Sequence, residues 1–419
     1  MKPAFIVYYV ALVAWLVASA VGTVWYFTRP SPQVVTTAVE VKEDVPCPTA
    51  TLAPPPWELG SEGEAELTLP KPDARLARRI TFWRRFWGET PAKVYLFMDS
   101  RRPSVIHATV DCRDLFRKYD NNKADKLCDK RLIPQKRKLK KRFYKERRRP
   151  SKKFRALFGG DKSLAKTAYR NILVVEGKKN ALDEAMLRAA PHLRRVERVF
   201  EKSGAPAELS RLAFIESLFQ PGAQSDAGAA GAYQFMRNTG KEWLRIDKDV
   251  DERLDLERSA HASAKYLMRL YKRFGSWPLA FTAYNTGPTR MKRLVKRHRT
   301  ETLGKLADLR TERAFGFDGQ NYYASFYAVV ELTRNIAAAE IGGEHKEVTY
   351  EGGIALSEVA RCHAISAKDI ASANPALAEK VRLGRRPIPA GYRIRIPDKA
   401  VKVASQSPSD ADRLGPARR

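Results

Sequence analysis

From Ala4 to Phe27 the chain runs for twenty-four residues without a charge, almost all of them apolar or small. As a helix, at about 1.5 Å per residue, such a run is long enough to cross a hydrocarbon layer about 30 Å thick. Lys2 precedes it and Arg29 follows it, so residues 1–29 read as a membrane anchor or signal segment. Ala18-Ser19-Ala20 fits a signal-peptidase site. The apolar run continues past it, which favours an uncleaved anchor. Either way the remainder is expected in the cell envelope, periplasmic or extracytoplasmic, and anchored in the cytoplasmic membrane if the segment is retained.

That placement decides how the charge is read. Lys and Arg number 77 against 47 Asp and Glu, a formal net charge of +30. A balance this basic calls for an anionic partner. Export removes nucleic acid from the choices and leaves a lipid surface or an anionic wall polymer. Four cysteines, Cys47, Cys112, Cys128 and Cys362, form no Cys-x-x-Cys pair, and there are only six histidines, so neither a metal nor a cofactor is expected. In an oxidising compartment Cys112 and Cys128 could form a disulfide, and free buried thiols are the alternative. The pattern says nothing of oligomeric state.

Composition divides the rest. Residues 30–74, with "ATLAPPPWELGSEGEAE", read as a Pro-rich extended linker. Residues 75–180 form a basic region of uncertain fold. In it "AKVYLFMDS" and "SVIHATVD" look like strands joined by a turn at Arg101–Pro103. The run from Lys130 to Arg155 reads first as a solvated helix face and loop, and second as an adhesive surface for anionic lipid or wall polymer. Residues 181–337 are expected to be α-helical, with Gly204 and Gly275 as stops and a break at "NTGP". Residues 345–398 read strand, helix, helix, strand, and 399–419 as a disordered tail. The fold class is therefore mainly α, with a small α+β module.

Within the helical region, Leu209, Leu212, Ala213, Glu216 and Phe219 share one face of a helix expected to run from about Ser203–Pro206 to Pro221. A carboxylate among apolar neighbours is disfavoured when ionised, which raises its pKa towards the value a general acid needs. The plain alternative is a slightly rotated helix that leaves Glu216 in solvent. Three further pieces accompany it: "SDAGAAGAYQFM" with Tyr233 and Gln234, "FTAYNTGP" with Tyr284 and Asn285, and "GQNYYASF" with Asn321 and Tyr322. Amides for hydroxyl and acetamido groups, and aromatic rings for sugar faces, suit a carbohydrate groove.

These motifs, in this order, resemble the lytic transglycosylases with the soluble-lytic-transglycosylase, goose-lysozyme-like fold, over roughly 190–335. Within that family they come closest to the membrane-bound D branch. The C-terminal segment resembles a LysM-type glycan-binding module, although "EGGIAL" stands where that family opens with Gly-Asp-Thr-Leu. The resemblance implies a lysozyme-like catalytic domain acting on peptidoglycan glycan strands between N-acetylmuramic acid and N-acetylglucosamine. It implies Glu216 as the single acid, then base, forming a 1,6-anhydromuramic end. It implies substrate-side roles for Ser217, Tyr233, Gln234, Tyr284, Asn285 and Tyr322, with Tyr323 as the rival of Tyr322 and a local cap as the alternative for Ser217. Met236 is expected beneath the cleft and Asp226 in a solvated loop. The alternatives are a hydrolytic muramidase on the same fold and a non-catalytic wall-binding scaffold.

Overall fold

The computed structural model describes residues 47–53, 68–309, 315–336 and 345–397. The expected anchor at 1–29, most of the linker and the tail at 399–419 lie outside the described residues. Among the described residues, no helix is long and apolar enough to cross a membrane.

The described part of the linker includes β1 (Thr51–Leu52), which pairs with a strand of the C-terminal module. The basic region then opens with α1 (Ala74–Arg84), whose N-terminus is capped by the Asp73 carboxylate on the Arg75 and Leu76 amides. The stretch "ITFWRRFWGE" continues it through a π-helical turn at Arg85–Glu89. Its rings meet edge to face, Trp83 on Phe86 at 4.9 Å and Phe86 on Trp87 at 5.3 Å, and they pack into the core of the helical region. The boundary near 181 therefore follows the chain rather than the packing.

Both expected strands are present as β2 (Val94–Asp99) and β3 (Arg102–Asp111). A third strand, β4 (Ile172–Glu176), was not foreseen. It pairs with the free edge of β2 and makes the sheet order β3-β2-β4. Alternation along β2 sends Leu96 and Met98 into the main core and Phe97 into a second one, where it meets Leu139, Phe143, Phe154 and Phe158. The long basic helix α2 (Asn121–Lys145) supplies two of those residues. Cys112 and Cys128 form a disulfide that ties the start of α2 to the end of β3, and no cysteine is free.

The helical region is built chiefly from α3 (Lys179–Ala189), α4 (Leu193–Lys202), α5 (Leu212–Ser217), β5 (Ala229–Ala230), β6 (Phe235–Met236), α6 (Leu256–Phe274), α7 (Trp277–Thr286), α8 (Pro288–His298) and α9 (Gly316–Leu332). Periodicity read residues 180–204 as one helix; Pro191 splits it into α3 and α4, because proline lacks the amide that a helix interior needs. The three glycine signals hold: Gly204, Gly275 and Gly287 have φ of 74°, 62° and 86°.

The C-terminal module contains the expected elements β7 (His345–Thr349), α10 (Leu356–His363), α11 (Ala367–Ala373) and β8 (Ile394–Pro397), and a further one-turn helix at Glu379–Arg382 that was not foreseen. The β1 strand lies on the outer edge of β7. The module is fastened to the helical region. Val250 enters its hydrophobic core. Arg395 grips the Asp255 carboxylate with two nitrogens, at 2.6 and 3.0 Å, and Arg258 donates to Glu347 at 3.0 Å.

Candidate active site

The stripe predicted around Glu216 exists, but the helix carrying it is short. Residues Ala207–Arg211 form a 3-10 turn and α5 follows, ending at Leu218 rather than Pro221. Leu209, Leu212, Ala213 and Phe219 are buried, and Glu216, on the same side, is half-buried. Leu218 and Phe219 both adopt left-handed backbone, φ 54° and 59°, and Gln234 does so at 47°. Each such non-glycine residue costs on the order of 1–3 kcal/mol. Three sit within one short stretch, so the surrounding structure must hold them. The Leu218 and Phe219 amides still bond to the carbonyls of Phe214 and Ala213, and Phe219 packs on Phe214 at 5.2 Å. Arg188 on α3 donates to the Leu218 carbonyl at 3.0 Å.

Tyr322, 106 residues further on, donates its hydroxyl to Glu216 Oε1. Burial raises the Glu216 pKa to about 7, and the Tyr322 hydrogen bond opposes the shift without cancelling it. Among the described residues, no cation offsets that burial. The Tyr322 and Tyr284 phenols are both pushed well above their usual value, first by burial and then by Glu216, so they stay protonated as donors. Tyr323, the register rival, is buried and turned into the core against Phe281 and Phe326.

The remaining expected residues divide. Gln234 is half-buried, and its amide nitrogen donates to the Gly231 carbonyl at 2.9 Å and to that of Ala223 at 3.4 Å. The turn beneath it requires glycine at 231: φ is 84°, and a Cβ there would lie 1.7 Å from the Arg253 carbonyl oxygen. Tyr284, half-buried at the end of α7, donates to the Tyr233 carbonyl at 2.8 Å. Asn285 is exposed beside it.

Three expectations need correction. Tyr233 is fully buried and its hydroxyl points to the Ser210 carbonyl, so no face of it can reach a ligand; its role is to carry the carbonyl that holds Tyr284. Ser217 donates to the Ala213 and Ala232 carbonyls and accepts from the Gln220 amide, which makes it a cap that closes α5 against the Gln234 loop. Met236 is 47% exposed rather than packed beneath the cleft, because β6 sends Phe235 inward and its neighbour outward. Asp226 is exposed, as a loop residue would be.

Sequence reasoning also missed the arginines that hold the site. Arg253 spans the Gln234 loop, donating to the Gly228 and Phe235 carbonyls at 2.9 and 3.0 Å. Arg79 on α1 donates to Asn321 Oδ1 at 2.9 Å and so ties the basic region to α9 next to Tyr322. Neither stood out in the sequence, since Arg253 follows Glu252, Arg79 follows Arg78, and Arg is usually a surface residue. Among the described residues, no group of His, Cys, Asp and Glu is arranged to hold a metal ion.

Residues 200–305 match the family model described as the transglycosylase SLT domain. Over 132 residues the chain is 35% identical to membrane-bound lytic murein transglycosylase D of Escherichia coli K12, an alignment covering 31% of this chain and 29% of that protein. The chain thus matches less than a third of the length of that curated relative. Among solved structures it resembles the 70 kDa soluble lytic transglycosylase of Escherichia coli, at 18% identity and a TM-score of 0.30, over 53% of this chain and 36% of that one. Glu216, Gln234 and Tyr284 all fall inside the matched span, and the part of the chain that carries the buried acid is therefore similar to the transglycosylase SLT domains.

Proposed function

We propose that the protein is a peptidoglycan lytic transglycosylase in which Glu216 serves first as acid and then as base. The observation that carries this reading is a half-buried carboxyl with a pKa near 7, with a Tyr hydroxyl on it and no cation beside it. Such a group is protonated often enough at neutral pH to donate, and basic enough afterwards to accept. Protonated Glu216 gives its proton to the glycosidic oxygen as the C1–O4 bond between N-acetylmuramic acid and N-acetylglucosamine breaks. The resulting carboxylate takes the proton of the muramic 6-hydroxyl, whose oxygen closes on C1. A 1,6-anhydromuramic end forms and Glu216 is protonated again. No water enters, so a second carboxylate of the kind that flanks the bond in ordinary glycosidases is not needed.

The Tyr322 hydroxyl stabilises the carboxylate between the two steps. Tyr284 keeps the Gln234 loop in place through the Tyr233 carbonyl. The free oxygen of the Gln234 amide accepts from an acetamido N–H, and Asn285 lies exposed at the end of α7 to meet a sugar hydroxyl. The C-terminal module is a LysM-like glycan-binding unit, a reading supported by its two antiparallel strands with α10 and α11 between them. The chain works in the cell envelope, held at the membrane by residues 1–29.

The test is mass spectrometry of the products when the full chain digests purified peptidoglycan, with Glu216→Gln alongside. Anhydromuramic ends that disappear in the variant are the expected result. Reducing ends would make the protein a muramidase. Binding without cleavage by the wild-type chain would make it a scaffold.

A further inference from the structure

We propose that the outward face of α2 is a docking surface for an anionic lipid bilayer. Residues 121–155 hold seventeen Lys and Arg against three acidic residues, a large share of the protein's net charge. The helix sorts them. Ala124, Cys128, Leu139 and Phe143 form its buried seam. On the opposite side Lys126, Lys130, Ile133, Arg137, Lys141 and Tyr144 recur every three or four residues, all exposed. Among the described residues, no carboxylate forms an ion pair with any Lys or Arg from Lys136 to Arg155. This charge is therefore not consumed by the fold.

The surface is rigid. The Cys112–Cys128 disulfide fixes one end of α2, and Leu139 and Phe143 anchor the other in the second core. A preformed array loses less freedom on docking than a loop with the same charges.

Charge alone would suit any polyanion. The apolar side chains on the same stripe favour lipid. Ile133 is 44% exposed and Tyr144 47% exposed. The Tyr144 ring lies beneath the Arg147 guanidinium, 3.6 Å from it, and edge-on to Tyr169 at 5.3 Å. A hydrated wall polymer would leave an isoleucine in water. A bilayer takes up its aliphatic tip while the Lys and Arg heads meet the phosphates, and Tyr suits the boundary between the two. The apolar run at 4–27 points to the same partner, since it brings a bilayer within about twenty residues of β1 at roughly 3.5 Å per residue. The inference rests on the reading of the chain as exported and anchored, and is independent of the chemistry at Glu216.

The test is lysine footprinting of the full chain in vesicles, read by mass spectrometry after brief acetylation. Phosphatidylcholine vesicles are compared with vesicles that also contain phosphatidylglycerol. Lys126, Lys130 and Lys141 should be modified at least about fivefold more slowly in the anionic vesicles, and about 1 M salt should restore the rate. Lys265 and Lys296, on other helices, should not change. The triple variant Ile133→Ser, Arg137→Gln, Lys141→Gln should lose the protection of Lys126 and Lys130 while still digesting peptidoglycan in solution. Equal labelling in the two vesicle types would overturn the proposal. So would protection that appears only on adding intact cell-wall sacculi, which would assign the face to the wall polymer.

Discussion

Glu216 and Asp255 are both withdrawn from water, and their surroundings drive them in opposite directions. Glu216 sits among apolar side chains with one Tyr hydroxyl, and its pKa rises to about 7. Asp255 is more deeply buried, and burial pushes it up too, but Arg395 and Arg258 beside it and the Arg258 amide bring it below its usual value. The first carboxyl keeps a proton to give away. The second is held in its charged form, caps α6 and locks the C-terminal module to the helical region. Burial alone therefore does not mark a catalytic acid. The charges that the fold leaves beside a buried carboxyl decide which way its pKa moves.

The largest expected effect is on turnover. Glu216→Gln keeps the shape and removes the proton, and should lower kcat on the order of 10²–10⁴-fold. Its effect on stability sharpens the contrast. A raised carboxyl pKa means stability that is complete below the unfolded value of about 4.3 and is lost as pH rises to about 7. The variant should therefore melt higher than wild type at pH 8, by on the order of 1–3 kcal/mol of added stability, and show little gain at pH 4. Calorimetry at the two pH values checks this. A variant less stable at pH 8 would mean that Glu216 is solvated.

Arg395→Met should do the reverse. It leaves Asp255, Glu257 and Glu347 short of a cation in the interior and should cost about 3–5 kcal/mol. A depressed Asp pKa contributes stability above the unfolded value of about 3.9, lost as pH falls through the folded one, so the wild-type junction should fail first in acid. Denaturant melts of the variant, and hydrogen exchange of β8 in wild type at falling pH, read these effects.

Tyr322→Phe removes the hydrogen bond that holds Glu216 down, so the alkaline limb of the pH–rate profile should move upward from about pH 7 as kcat falls. An unmoved limb would assign that limb to another group. The smallest effect belongs to Tyr284→Phe, which frees the Tyr233 carbonyl at a cost of about 0.5–1.5 kcal/mol and should raise KM more than it lowers kcat. Thermal melts and steady-state kinetics separate the two quantities.

Local pattern made part of this legible. A 3.6-residue period placed Glu216 on an apolar stripe, glycines marked the helix ends, and alternation marked β2 and β3. The β4 strand escaped because "ILVVE" is a short apolar run, which periodicity cannot assign by itself. Met236 and Tyr233 were exchanged in depth, since a loop has no period from which to read a facing direction.

The sequence by itself determined where the acid is and that its neighbours are apolar, because both are properties of residues within one turn of helix. Only the tertiary structure decided what the acid meets. Tyr322 reaches it across 106 residues, Arg253 and Arg188 hold the loops on either side, and Arg79 joins a distant helix to α9 through Asn321. The same holds for Asp255, which the structure shows capping α6, buried and paired with Arg395, 140 residues away. A carboxyl's pKa depends on whatever charge and water the fold leaves beside it. Where the chain returns to supply those groups is not written in the residues next to it.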